Sequence, residues 1–129
     1  APTDAERLAR IHRGKTAELL AAAVEGGARA AGAPAPARAA LHRFGLHLGL
    51  AFQVVDDVLD ATVTAERLGK TPGKDAASLK PTYVSLLGIA EARRHAEALR
   101  VEAHAALAGC GSRGRRLVEL ADWIVLRQH

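Results

Sequence analysis

Aromatic side chains make up 3% of this 129-residue sequence, and Phe44, Phe52, Tyr83 and Trp123 are all there are. So few rings leave no stacking platform for a single-stranded nucleic acid, although a formal charge of +4 and a pI near 9.8 raise that question. The arginines are spread along the chain, Arg7, Arg10, Arg13, Arg29, Arg93 and Arg94 among them, so the basic balance reads as a solvated surface with no nucleic-acid partner. Cysteine occurs once, at Cys110. That excludes a disulfide within these residues and fits a reducing, cytoplasmic setting. No apolar run reaches the length of a membrane span, and the first residues carry no basic-then-apolar leader pattern, so no stable membrane insertion is expected. Runs of Val, Ile, Thr and aromatics are nearly missing as well, which argues against a sheet.

What remains is a chain dominated by Ala and Leu, 49% apolar and 25% charged, of a length suited to one folded unit. That composition predicts an all-α helical bundle. Thr3 and Glu6 stand in capping-box spacing at the head of a first helix, with Leu8, Ile11, Leu19 and Leu20 expected on its apolar side. Gly26–Gly27 loosens that helix, and Gly32, Pro34 and Pro36 end it. A second long helix is expected from about Ala37 to Thr62, followed by a loop holding "TAERLGKTPGKDAASLKP". The helical period resumes at Thr82, with a break near Gly88 and a solvated face on which Glu91, Glu97 and Glu102 alternate with Arg93, Arg94 and Arg100. "GCGSRG" is a turn before a short amphipathic closing helix. His12 and His47, without a metal-ligand partner at good spacing, are read as structural, and Cys110 has no companion that would make it a nucleophile.

The chemistry lies in "LGLAFQVVDDVLDA", residues 48–61. On a helix, Gln53, Asp56 or Asp57, and Asp60 form one polar stripe about two turns long, set among Leu50, Phe52, Val54, Val55, Val58 and Leu59. Burying unpaired charge is costly, so the carboxylates either reach water along one edge or meet a cation. Carboxylate oxygens one turn apart suit a hard ion, and Mg²⁺ takes one or two of them, keeps waters and accepts phosphate oxygens for the rest. Of only four lysines in the chain, Lys70, Lys74 and Lys80 follow directly after this helix. A lysine is a compact charge suited to phosphate oxygens. Acid stripe and lysine loop together point to a metal–diphosphate site.

"GLAFQVVDDVLD" resembles the second aspartate-rich motif, F-Q-x-x-D-D-x-x-D, of the trans-isoprenyl diphosphate synthases, the farnesyl/geranyl diphosphate synthase group of the polyprenyl synthetase family. "HRGKTAELL" resembles that family's H-x-x-K-T helix, and "LGKTPGKDAASLKPTYVSLLG" its G-K…G-x-D…K-x-T segment. "DWIVLRQ" resembles its closing helix. The resemblance covers essentially the whole chain and implies a fold: residues 1–129 as the C-terminal helical portion of an isoprenoid synthase type I fold. It also implies roles. Asp56, Asp57 and Asp60 would hold Mg²⁺, Asp56 directly. Lys15 and Thr16 would contact the allylic diphosphate, Gln53 would lie beside it, and Lys70 would reach the diphosphate. Lys80 matches a later family lysine, and Lys74 is read as a loop charge. Phe52 is placed either near the hydrocarbon or beneath a developing cation, or else in ordinary core packing.

The implied partners are two small molecules, an allylic diphosphate and isopentenyl diphosphate, with a homodimer as the full-length state. Leu79 and Pro81 depart from the family pattern around Lys80. The first aspartate-rich motif, which faces the second across the family's cavity, does not occur in these residues. The expectation is therefore a Mg²⁺-dependent prenyltransferase as the full-length protein and an inactive chain taken alone. Two alternatives stand beside it: a non-catalytic helical subunit or interaction module from the same family, and another class I terpenoid synthase.

Overall fold

The computed structural model describes residues 3–68 and 82–127. Within them every regular element is a helix. Helix α1 spans Asp4–His12, and Thr3 caps it with the reciprocal Thr3–Glu6 bonds of a capping box. The chain then winds more widely, as a π-turn over Arg13–Ala17, before continuing as α2, Glu18–Ala30. Gly32, at φ +77°, closes α2, where Gly32 N–H bonds Arg29 C=O at 3.1 Å and Ala33 N–H bonds Ala28 C=O at 2.9 Å. Only a residue without a Cβ adopts that backbone readily.

Helix α3 runs Ala35–Leu68, starting two residues before the expected point and ending six after it. Pro36 lies in its first turn, where the missing N–H has no intrahelical acceptor to lose. At the other end no glycine or proline interrupts Val63–Leu68, so five residues assigned to the loop (Thr64–Leu68) continue the helix. Helices α4, Tyr83–Leu87, and α5, Ile89–Ala106, meet at Gly88, whose φ of +82° makes the expected break. A 3₁₀ segment over Ala108–Gly114 occupies the predicted turn, and α6 covers Arg115–Leu126.

Helix α3 is the axis of the bundle, flanked by α2, α5 and α6. Around its first half Phe44 and Leu48 pack with Ala103, Leu107, Ala121 and Ile124. Around its second half Val54, Val55 and Val58 pack with Leu8, Tyr83 and Leu99. The first helix departs from its expected apolar face. Leu8 is buried and Leu20 packs on the first-half core, but Ile11 is 56% and Leu19 74% exposed, and the fully inward positions are His12, Ala17, Ala21 and Ala28. The π-turn inserts one extra residue between His12 and Ala17, which rotates everything after it by about 100°. The expected solvated face of α5 also has an exception: Arg100 reaches across to α6 and bonds Asp122 at 2.7 Å.

Candidate functional site

The π-turn and α2 approach α3 so closely that two α3 positions admit no side chain. A Cβ on Gly45 would stand 2.5 Å from Ala21 Cα, and one on Gly49 would stand 2.5 Å from Ala17 Cα. The next contacts along this seam are polar. Gln53 Nε2 donates to Thr16 Oγ1 at 3.0 Å, and His12 Nε2 lies 4.0 Å from Asp57 Oδ2. Gly45, Gly49, Gln53 and Asp57, spaced by four on α3, thus meet Ala21, Ala17, Thr16 and His12. The π-turn lets Thr16 fall in line between two residues five apart. Sequence reasoning missed this seam, and the signal was present: Gly45 and Gly49, four apart, opposite Ala17 and Ala21, also four apart.

The lysine–threonine pair and the aspartate helix, 37 residues apart in the chain at Thr16–Gln53, are therefore neighbours. Thr16, Gln53, Asp56 and Asp57 are partly buried, whereas Lys15 and Asp60 are exposed. Asp57 is the inward carboxylate. Its side chain keeps 14% of its exposure, and its Oδ2 accepts the backbone N–H of Tyr83 at 3.3 Å. Burial pushes its pKa up, the Tyr83 N–H opposes that, Asp56 and Asp60 push it further up by like-charge repulsion, and Lys15 pulls it down. Burial, with Lys15 nearby, pushes the His12 pKa down and so favours the neutral imidazole. Phe52 faces another way. It packs with the first-half core, and the Arg127 guanidinium sits 4.7 Å above its ring centroid. Lys70, Lys74 and Lys80 lie outside the described residues.

Asp56 and Asp60, one turn apart, crowd like charges against Asp57, and a divalent cation is the counter-charge that would relieve them. Among the described residues no three His, Cys, Asp or Glu side chains converge into a metal cage. Asp56 and Asp60, two carboxylates one turn apart, are the kind of donor pair that could hold Mg²⁺, an ion that binds through one or two carboxylates and completes its shell with water and phosphate. Also among the described residues, no helix is long and apolar enough to cross a membrane.

The family model described as polyprenyl synthetase matches residues 2–108. A dimethylallyltranstransferase from Fischerella ambigua is 48% identical over 119 residues, which is 92% of this chain and 34% of the relative. A probable farnesyl diphosphate synthase from Sinorhizobium fredii is 44% identical over 119 residues, 89% of this chain and 36% of the relative. Geranylgeranyl pyrophosphate synthase 10, mitochondrial, of Arabidopsis thaliana is 44% identical over 128 residues, 98% of this chain and 37% of the relative. The chain spans about a third of the length of these curated relatives.

Proposed function

The chain belongs to the polyprenyl synthetase family, and from that premise we propose that the whole protein is a prenyltransferase. It joins isopentenyl diphosphate to an allylic diphosphate, dimethylallyl or geranyl, giving a short-chain trans-prenyl diphosphate. The observation that carries this reading is the Thr16–Gln53 hydrogen bond at 3.0 Å, which holds the lysine–threonine pair against the aspartate helix. The relatives' names support the substrate class.

In this reading residues 1–129 form one wall of the site, the C-terminal helical part of the synthase domain. Asp56 and Asp60, with Asp57 beside them, would hold Mg²⁺, which would supply positive charge against the diphosphate leaving group. Lys15 supplies a direct cation to the same diphosphate, Thr16 and Gln53 fix its position, and Lys70 and Lys80 add further positive charge. The allylic C–O bond breaks with its electron pair leaving on the diphosphate. The double bond of isopentenyl diphosphate attacks the allylic cation, and loss of a proton completes a product one isoprene unit longer. Catalysis is positioning and electrostatic stabilisation. One wall alone leaves the cation open to water, so the 129-residue chain by itself does not turn over, and the working state is a homodimer of the full-length protein.

The test is extraction of prenyl products from the full-length protein given Mg²⁺, labelled isopentenyl diphosphate and geranyl diphosphate. A longer prenyl diphosphate is expected, and its loss is expected in Asp56→Asn with the fold intact. A well-folded full-length protein that makes no product and binds no diphosphate would remove the reading in favour of a non-catalytic helical module.

A further inference from the structure

The reaction above leaves His12 without a task, yet its surroundings are specific. It is the buried polar residue of the bundle, 6% exposed among the described residues. Its Nδ1 is shut off from solvent with no hydrogen-bond partner there. An unsatisfied buried polar atom costs about 1–3 kcal/mol, and an aliphatic side chain at this position would avoid that cost. Packing alone therefore does not account for an imidazole here.

What the imidazole touches does. Nε2 lies 4.0 Å from Asp57 Oδ2, too long for a direct hydrogen bond. The same Oδ2 accepts the Tyr83 N–H. The His12 ring leans on the Tyr83 ring, with centroids 5.2 Å apart and planes at 59°, and Tyr83 leans in turn on His95, with centroids 5.0 Å apart. Three elements, α1, α3 and α4, thus meet at one carboxylate oxygen. Asp56, its neighbour in the chain, has no such contact among the described residues.

We propose that His12 and Tyr83 are positioning residues for the aspartate motif: they hold Oδ2 of Asp57 against the bundle and leave its Oδ1 as the oxygen available to a metal, while Asp60 stays exposed. The inference rests on the metal–diphosphate reading given above. It assigns unequal parts to three aspartates that look equivalent in the motif. It also makes the α1–α3 seam part of metal affinity, because a polar partner behind a ligating carboxylate typically tunes affinity by about 10–100-fold.

The test uses the full-length protein and Mn²⁺, titrated by electron paramagnetic resonance in the presence of inorganic diphosphate. His12→Phe keeps a ring against Tyr83 but loses the nitrogen facing Asp57. It is expected to weaken Mn²⁺ binding about tenfold with no loss of melting temperature, and His12→Gln, which restores an N–H near the Nε2 position, is expected to recover most of it. Because the effect passes through Asp57, the double variant His12→Phe/Asp57→Asn should bind no more weakly than Asp57→Asn alone. In the wild-type protein, which needs no variant to fold, the His12 Nε2 resonance should shift when Mg²⁺ and diphosphate are added. Wild-type Mn²⁺ affinity in His12→Phe, multiplying losses in the double variant, or an unmoved resonance each overturn the proposal while the proposed function stands. Absence of Mn²⁺ binding in the wild type overturns both.

Discussion

Gln53 gives its side-chain N–H to the hydroxyl of Thr16 at 3.0 Å, joining α3 to the π-turn between α1 and α2. This bond locks the residue beside Lys15 against the residue one turn before Asp56 and Asp57. Its strength should be measurable apart from any reaction. In a double-mutant cycle of Thr16→Val and Gln53→Leu, the two changes should couple by about 1 kcal/mol in unfolding free energy. Additive losses would mean that the two side chains do not hold each other.

The seam on which that bond depends should be intolerant of a single methyl group. Gly49→Ala places a Cβ 2.5 Å from Ala17 Cα, against backbone that cannot step aside. We expect a loss of about 1–3 kcal/mol, together with weakened diphosphate binding as Thr16 and Gln53 separate. Gly27→Ala in α2 is the matched control, since a Cβ there meets nothing within 4 Å. It should gain about 0.5–1 kcal/mol from helix propensity. Thermal melts of the two variants should therefore move in opposite directions.

Acid should loosen the junction of α5 and α6. Burial pushes the Asp122 carboxyl up, but the Arg100 hydrogen bond and the charge of His104 outweigh it and hold the pKa below the usual value. A carboxylate depressed on folding is stabilising where it is ionised, above an unfolded pKa of roughly 4, and that contribution is lost as pH falls through the folded value. Between about pH 5 and pH 3 the wild type should lose more melting temperature than Asp122→Asn. The comparison cancels Asp57, whose raised pKa acts with the opposite sign. Parallel curves would show that the Arg100–Asp122 pair contributes nothing.

Ligand should stabilise the full-length protein only when metal and diphosphate are supplied together. At 100 times the dissociation constant the gain is about 2.7 kcal/mol. Asp60→Asn should reduce this shift, because the proposed metal site uses the exposed Asp60 carboxylate. Mg²⁺ without diphosphate should shift the melt little, since among the described residues no three acidic, His or Cys side chains enclose a metal.

Much of the molecule was legible from local pattern. The capping box at Thr3, the break at Gly88 and the turn before α6 all stand where the residues placed them. The polar stripe of Gln53, Asp56, Asp57 and Asp60 follows from helical periodicity alone, because α3 is unbroken through it. The apolar face of the first helix followed only at Leu8 and Leu20. Leu19 obeys the spacing of a regular α-helix, but the π-turn before it adds a residue, and the most deeply inward positions pass to the small Ala17 and Ala21.

The sequence by itself determined that the chain is helical, where most helices begin and end, and that the carboxylates of Asp56, Asp57 and Asp60 cluster on one stripe of α3. These depend on neighbours within one or two turns, and such neighbours are written in order along the chain. Only the tertiary structure decided that Asp57 points inward while Asp60 is exposed, that His12 backs Asp57, and that Thr16 meets Gln53. Each of these depends on how closely two helices approach. That distance is set by Gly45 and Gly49 seated on Ala21 and Ala17, a fit between surfaces more than twenty residues apart in the chain that no local period encodes.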